Sequence, residues 1–391
     1  MNIDFDTPLD RRGSDSVKWD WKAANRDGTP LLPMWVADMD FAAPPCVQQA
    51  LAERVGHPVY GYTFVPDRYG EAFVSWQSRR NGWEVSPEWL VYTPGVMPAV
   101  RAAILAFSEP GDEIVVQPPV YYPFFNAVAE NGRVVLENPL VQSDGEYRMD
   151  LEQLERAITP RTRMVLLCSP HNPVGRVWRA EELKDLAALC DRHDLLIVSD
   201  EIHADLIRTG ERFVPIASLS PEVAARTITC GSPSKSFNIA GLASSFAIAS
   251  DREVRKKLKE TIGRLGMELP NTLSLTAAAA AYAEGEPWLD ALLRYLTATF
   301  DWFENEIVRR FPEVELTRIE GTYLAWLDLR RVMERTGATD AQMHRTLIDD
   351  AALWLSDGFR FGTGGAGFQR MNLGCPRSLV SDGLDRLQRA L

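Results

Sequence analysis

Short apolar runs alternate with helical segments between residues 89 and 250, and this alternation constrains the fold more than any other feature. The runs are bounded by turn residues and lie at 89–92, 113–117, 133–137, 163–168, 195–200, 226–230 and 244–249. Between two of them, residues 181–194 carry apolar side chains at helical spacing, which predicts a helix with one face on a sheet. Such alternation is typical of an α/β fold. We therefore predict a mostly parallel seven-stranded sheet flanked by helices.

The pattern changes after residue 285, where a long helix over 286–310 precedes short mixed elements. This change predicts a small C-terminal α+β domain over 286–391. Residues 1–50 contain many Trp, Pro and Asp residues and show little periodicity, so we predict an N-terminal arm that packs with the small domain. The large domain then spans 51–285. Two domains agree with a length of 391 residues, which exceeds that of one average domain.

The charge balance argues against some classes of partner. The chain has 42 Lys and Arg against 54 Asp and Glu, a net charge of −12, which disfavours nonspecific binding to nucleic acid or acidic membranes. The first residues lack the apolar core of a signal peptide, and no apolar run approaches the roughly 18 residues of a membrane span. We therefore expect a cytoplasmic protein that binds neither nucleic acid nor a membrane.

The cysteines indicate neither a disulfide framework nor a metal site. There are five, an odd number, and they are widely scattered with no CxxC pair. Zinc sites and disulfide frameworks normally show paired or regular spacing. We therefore expect no bound metal.

Five features with possible chemical roles follow the predicted strands, at the edge where open α/β sheets bind ligands. Each has an ordinary structural alternative: a tight turn, a core aromatic, a polar turn residue or an exposed loop lysine. The acid is the least ordinary, because a carboxylate that ends an apolar strand is costly to bury unless a cation meets it. The five are Gly95, the pair Tyr121 and Tyr122, Asn172, Asp200, and Lys235 in the turn SPSK.

Together these features match the needs of pyridoxal 5′-phosphate. A lysine forms a Schiff base with the cofactor's aldehyde, and an acid keeps the pyridine nitrogen protonated. An aromatic side chain stacks on the ring, and an amide donates to the ring oxygen. A helix that begins at a glycine offers free N–H groups to the phosphate. No single feature is specific, but their coincidence at one sheet edge predicts this cofactor.

Longer motifs resemble fold-type I pyridoxal-phosphate enzymes, and within them the MalY/PatB group of cystathionine β-lyases and C–S lyases. The resemblance covers nearly the whole chain and rests on FDTPLDRRGSDSVKWD, LPMWVADMDF, YGYT, YTPGVMPAV, SPHNPVGRVW, SDEIHADL, SPSKSFNIAGL and FQRMNLGCPR. It implies the fold of aspartate aminotransferase-like enzymes, with the cofactor held by the large domain. The first and last motifs distinguish this group from general aminotransferases.

The resemblance also implies roles for individual residues. Lys235 resembles the Schiff-base lysine, and Asp200 resembles the partner of the pyridine nitrogen. Arg370 resembles the arginine that binds the substrate α-carboxylate, although by itself it would suggest an exposed strand residue. The other implied cofactor contacts are Asn172 and His203 near the ring oxygen, Tyr121 and Ile202 on the two ring faces, Gly95, Val96 and Ser232 at the phosphate, and Tyr62, which would reach the phosphate from the second subunit of a homodimer.

The implied reaction is α,β-elimination from an amino-acid substrate, with L-cystathionine or another cysteine S-conjugate giving a thiol, pyruvate and ammonia. Transamination remains open as an alternative, because the same residues serve both reactions. A non-catalytic role is disfavoured, since Lys235, Asp200 and Arg370 are all present.

Two other motifs suggest different enzymes but lack their context. Residues 232–235 match the S-x-x-K of serine β-lactamases, yet the S-D-N and K-T-G motifs of that class are missing. Residues 362–367, GTGGAG, match the G-x-G-x-x-G of dinucleotide-binding enzymes. Too few residues follow for a βαβ unit, so a glycine-rich loop is the better interpretation.

Overall fold

A computed structural model describes residues 3–143 and 145–391. The strands are β1 (Leu32–Pro33), β2 (Leu90–Thr93), β3 (Glu113–Val116), β4 (Val134–Glu137), β5 (Val141–Ser143), β6 (Glu146–Arg148), β7 (Thr162–Cys168), β8 (Leu196–Asp200), β9 (Thr227–Gly231), β10 (Ser245–Ile248), β11 (Glu315–Leu316), β12 (Leu324–Asp328), β13 (Leu353–Trp354), β14 (Ser356–Asp357) and β15 (Phe368–Asn372). The helices are α1 (Pro45–Gly56), α2 (Asp67–Asn81), α3 (Val96–Phe107), α4 (Pro123–Ala129), α5 (Leu151–Ala157), α6 (Ala180–Arg192), α7 (Pro221–Ala225), α8 (Pro233–Ser236), α9 (Arg252–Arg264), α10 (Thr272–Glu284), α11 (Glu286–Arg310), α12 (Arg330–Thr336), α13 (Asp340–Arg345) and α14 (Arg377–Ala390).

The central sheet has seven strands in the order β2-β10-β9-β8-β7-β3-β4. The pairs β9-β8, β8-β7, β7-β3 and β3-β4 are parallel, whereas β10 runs antiparallel to both of its neighbours. The predicted mostly parallel seven-stranded sheet is therefore confirmed. Its carboxyl-terminal edge brings together residues that are far apart in sequence.

Both faces of the central sheet are buried because side chains of its strands alternate between two helical layers. Leu166 and Val198 pack with α3 on one face, while Val165 and Ile197 pack with α6 on the other. Each of these side chains is at most 1% exposed. Burying one such aliphatic side chain contributes about 1.5–3 kcal/mol, so the two layers hold the strands rigidly.

A second sheet, β11-β12-β15-β14, is antiparallel and packs with α11 and α14 in an apolar cluster that also includes side chains of α2, α10 and β10. The N-terminal segment joins this part of the molecule, since β1 pairs in parallel with β13. The domain limits remain predictions: residue 50 lies within α1, and residue 285 lies between α10 and α11. In the described part of the chain, no helix is long and apolar enough to cross a membrane.

Candidate active site

The carboxyl ends of the central strands open onto one cavity of about 490 Å³. Strands β8 and β9 end beside each other there, and the residues that follow them form part of the wall. Ten of the eleven predicted site residues line this cavity: Gly95, Val96, Tyr121, Asn172, Asp200, Ile202, His203, Ser232, Lys235 and Arg370. The eleventh, Tyr62, is 97% exposed and does not line the cavity.

Lys235 lies in the short helix α8, which begins directly after β9. Its N-cap, Ser232, accepts a hydrogen bond from the Ser234 N–H at 3.0 Å, and this contact fixes the turn from strand to helix. The Lys235 ammonium donates to the carbonyl oxygen of Ala37. Burial lowers the pKa of Lys235 to about 8, against the opposing effect of the Asp38 carboxylate. The amine is therefore closer to its neutral, nucleophilic form than an exposed lysine.

Asp200 ends β8 and is 4% exposed. Its Oδ1 accepts the Ile202 N–H at 3.1 Å. Burial raises the pKa of Asp200 to about 6. No Lys, Arg or His within the described residues forms an ion pair with this carboxylate, and the Lys235 charge only partly offsets the effect of burial, so the carboxylate has no cation in direct contact. A protonated pyridine nitrogen is a cation of the size and charge that this position requires.

Arg370, on β15, is 4% exposed. Its Nη1 donates to Asn172 Oδ1 at 2.9 Å, and its Nη2 donates to the carbonyl oxygen of Trp35 at 2.6 Å and to Ser356 Oγ at 3.2 Å. The buried Nε has no hydrogen-bond partner in the described structure. Burial lowers the pKa of Arg370 to about 10. This guanidinium is held in place but carries spare donor capacity, as a carboxylate-binding residue requires.

Asn172 lines the cavity next to Arg370 and accepts a hydrogen bond from it. Because its side-chain oxygen faces Arg370, its NH₂ group is left without a partner among the described residues. The nearby His203 is 3% exposed, and its Nδ1 also lacks a partner there. Burial lowers the pKa of His203 well below its usual value, so the ring is neutral at neutral pH. Both side chains can still bond to a ligand oxygen.

Aromatic and apolar side chains complete the middle of the cavity. Tyr121 and Ile202 both line it, as the stacking pair on the two ring faces would. Burial raises the pKa of Tyr121 to about 12, and the Asp200 charge acts in the same direction, which indicates that the two lie near each other. Tyr122 also lines the cavity. Sequence alone left open whether Tyr122 faces the core.

At the start of α3, the N–H groups of Val96 and Met97 have no acceptor among the residues that the structure describes. Gly95 is its N-cap and offers no side-chain cap. A Cβ at this position would lie 3.2 Å from Pro98 Cδ, so the close turn favours glycine. The Ser232 hydroxyl donates to the Ser244 carbonyl at 2.6 Å, and the Ser244 hydroxyl itself has no partner in the described residues. Free N–H groups at a helix start suit a phosphate.

The N-terminal segment contributes backbone contacts to the site that the sequence did not predict. The carbonyl oxygens of Ala37 and Trp35 accept from Lys235 and Arg370, and Tyr323 Oη also donates to Ala37, at 2.8 Å. Backbone acceptors carry no side-chain signal. The predicted N-terminal arm and the motif LPMWVADMDF, which contains both residues, indicated that this segment matters but not which of its atoms make contact.

The family model for aminotransferase class I and II matches residues 31–387. The chain belongs to this family. Cystathionine β-lyase PatB of Bacillus subtilis is 42% identical, and protein MalY of Escherichia coli is 36% identical; each alignment covers 100% of this chain and at least 99% of the relative. Cystalysin from Treponema denticola, whose crystal structure contains pyridoxal 5′-phosphate, has a TM-score of 0.95 at 34% identity, with 100% of this chain and 99% of cystalysin covered. The predicted family and fold are thus confirmed.

No metal centre accompanies the cavity in the described part of the chain, where no three His, Cys, Asp or Glu side chains are grouped to hold an ion. The residues fit the cofactor of the family well. A buried acid without a counter-cation, a lysine of lowered pKa, an unpartnered amide and an uncapped helix start surround one cavity.

Proposed function

We propose that this chain is a carbon–sulfur β-lyase that uses pyridoxal 5′-phosphate to cleave L-cystathionine or related cysteine S-conjugates to a thiol, pyruvate and ammonia. The observation that carries the proposal is the convergence of buried Lys235, Asp200 and Arg370 in one cavity. The full-length similarity to a cystathionine β-lyase supports the reaction type. When bound, the cofactor supplies an electron sink for the electron pair left at Cα.

Each cavity residue has a role in holding the cofactor. Lys235 Nζ would bind the aldehyde covalently, and Asp200 would keep the pyridine nitrogen protonated. Asn172 and His203 would meet the ring oxygen, while Tyr121 and Ile202 would enclose the two ring faces. The N–H groups of Gly95 and Val96, together with Ser232, would bind the phosphate.

Arg370 would bind the α-carboxylate of the substrate through its planar fork. This contact orients the amino acid so that its Cα–H points at Lys235. The tethered amine, whose pKa is lowered to about 8, can then take the Cα proton as a general base.

The reaction balances without a further co-reactant except water. The Cα–H and Cβ–S bonds break, a Cα=Cβ double bond forms, and the sulfur leaves as a thiolate that is protonated. The released 2-aminoacrylate hydrolyses to pyruvate and ammonia. No electron acceptor outside the cofactor is needed.

Transamination is the second candidate, since the matching family is named for aminotransferases. The two reactions differ in their need for an oxoacid. We would incubate the holoenzyme with L-cystathionine and follow pyruvate and free thiol with no oxoacid present. Sustained release in many-fold excess over enzyme is expected. Turnover that begins only after an oxoacid is added would contradict the lyase proposal and favour transamination.

The proposed assembly is a homodimer in which Tyr62 reaches the phosphate of the other subunit. Tyr62 lies in an exposed segment whose neighbours Val59, Tyr60 and Phe64 are 58–76% exposed. A contiguous exposed apolar segment is typical of an interaction surface. The cytoplasmic location expected from the sequence also remains a prediction, which cell fractionation would test.

A further inference from the structure

Two cations lie on the faces of aromatic side chains at the cavity. The guanidinium carbon of Arg360 lies 5.1 Å from the centre of the Tyr122 ring. Lys22 Nζ lies 5.9 Å from the centre of the Trp354 ring. Tyr122, Trp354 and Arg360 all line the cavity, and both cations belong to exposed residues. Arg360 is therefore part of the accessible cavity wall, and Lys22 lies beside that wall, next to Trp354.

Neither cation is paired with an acid. In residues 3–143 and 145–391, no carboxylate lies within 4.0 Å of Arg360 or Lys22. Arg330 also lies over an aromatic ring, that of Phe368. In contrast to Arg360 and Lys22, it forms an ion pair, with Arg330 Nη2 lying 2.5 Å from Asp328 Oδ2. Arg360 at the cavity and Lys22 beside it are therefore both available to an anionic ligand.

The nearby acid on β14 is already engaged. Asp357 accepts from His344 Nδ1 at 2.9 Å and from Gln369 Nε2 at 3.1 Å. Its hydrogen bond raises the pKa of His344, and the charges of Lys22 and Arg360 oppose that rise. Lys22 and Arg360 therefore both lie near His344, and Asp357, the acid that contacts this histidine, pairs with neither of them.

Arg360 also lies near the arginine that would bind the α-carboxylate. Burial is the main cause of the lowered pKa of Arg370, and the Arg360 charge contributes in the same direction. One cavity thus presents two guanidiniums, one buried and one accessible. A ligand with two separate carboxylates would satisfy both.

Apolar side chains provide room for a linking chain. Trp35 and Trp354 are stacked, with their ring centres 4.5 Å apart, and Trp21 contacts Trp35 edge-on at 6.1 Å. All three line the cavity, although Trp21 is 74% exposed. This wall suits methylene groups between a sulfur atom and a charged end.

We propose that Arg360, assisted by Lys22, binds a carboxylate on the sulfur substituent of the substrate. The preferred substrates are then cysteine S-conjugates with an anionic group a few carbons beyond the sulfur. This inference rests on the proposed function and adds a specificity residue to it. Because Arg360 is exposed, solvent screens the pair, and we expect a preference of about 10-fold rather than several thousand-fold.

A matched pair of substrates tests the charge alone. S-(3-carboxypropyl)-L-cysteine and S-(3-carbamoylpropyl)-L-cysteine differ only in carboxylate against amide. We expect wild-type kcat/KM to favour the acid by about 10-fold, and Arg360→Met to bring the ratio close to one. Lys22→Met should give an intermediate ratio. Arg309→Met removes an exposed arginine on α11 outside the cavity and should keep the wild-type ratio.

A binding measurement separates this inference from the lyase reaction. L-2-Aminosuberate has the same length as the acid conjugate but carries CH₂ in place of sulfur, so it cannot undergo β-elimination. Calorimetric titration of the holoenzyme should give a Kd about 10-fold lower for this diacid than for its ω-amide, and Arg360→Met should remove the difference.

The outcomes distinguish the two proposals. If no conjugate yields pyruvate but the diacid still binds more tightly through Arg360, the lyase proposal fails and the specificity proposal stands. If wild type shows equal Kd values for diacid and amide, binds neither, or keeps its preference in Arg360→Met, the specificity proposal is overturned even when pyruvate is released.

Discussion

Asp200 and Glu201 are adjacent in sequence, but their side chains face different surroundings. Asp200 lines the cavity, whereas Glu201 accepts a hydrogen bond from Ser199 Oγ at 2.9 Å within the core. Burial raises the pKa of Glu201 from 4.5 to about 8. At neutral pH the folded protein therefore holds Glu201 protonated, while the unfolded chain ionises it.

Glu201→Gln should become more stable relative to wild type as pH rises. Because the pKa of Glu201 is higher in the folded state than in the unfolded state, its contribution to the free energy of unfolding is complete below about pH 4.5. That contribution is lost as the pH rises towards 8. Glutamine keeps the neutral form at every pH. We expect the difference in free energy of unfolding to shift in favour of Glu201→Gln by more than about 1 kcal/mol between pH 5 and pH 8. Urea unfolding of the apoprotein measures it, and a pH-independent difference would contradict a protonated Glu201.

Arg370→Lys should weaken substrate binding although it keeps the charge. Lysine lacks the planar fork that contacts Asn172, Trp35 and Ser356 at once. We expect KM for cysteine conjugates to rise by about 10- to 100-fold. Steady-state kinetics measure the effect, with Arg309→Lys as a control on an exposed arginine. An unchanged KM would remove Arg370 from the carboxylate site.

At the element scale, the sequence pattern predicted the central sheet and its helices well, because strands buried on both faces form short apolar runs and a helix such as α6 buries one face. The runs at 163–168 and 195–200 became β7 and β8 with shifts of one residue. The pairing of β1 with β13 could not be predicted, since it joins two-residue strands about 320 positions apart. The position of the N-terminal segment likewise depends on backbone carbonyls and a buried charge cluster rather than on a local pattern.

That cluster anchors the segment that meets Lys235. Lys18 Nζ lies 2.6 Å from Asp40 Oδ2, and both side chains are at most 2% exposed. Arg11 and the Trp19 indole also donate to Asp40. Burial alone would raise the pKa of Asp40, but the Lys18 charge and hydrogen bonds lower it below its usual value. The Ala37 carbonyl, which accepts from Lys235, lies on the same segment.

Lys18→Met should be strongly destabilising, because it leaves Asp40 buried without its closest cation. We expect a loss of about 3 kcal/mol in the free energy of unfolding. Arg12→Met breaks the ion pair between Arg12 and Asp10, whose side chains are 64% and 63% exposed, and should reduce stability far less than Lys18→Met. Denaturant unfolding of both variants makes the comparison. Equal effects would show that the Lys18–Asp40 pair does not anchor the segment.

At the scale of the whole molecule, one chain leaves Tyr62 97% exposed and away from the cavity. If Tyr62 acts across a dimer interface, two inactive variants can complement each other. A subunit with Tyr62→Ala and one with Lys235→Ala would form a heterodimer with one intact site. After joint refolding, we expect about a quarter of wild-type activity from random pairing in a twofold dimer. No recovered activity, or a monomer in sedimentation, would contradict the shared site.

The central claim is that the cavity holds pyridoxal 5′-phosphate on Lys235. Borohydride reduction of the holoenzyme fixes the cofactor to the amine that carries it, and peptide mass spectrometry then locates the label. We predict one labelled peptide that contains Lys235, and no label in Lys235→Ala. A label on any other lysine, or none after incubation with the cofactor, would contradict the claim.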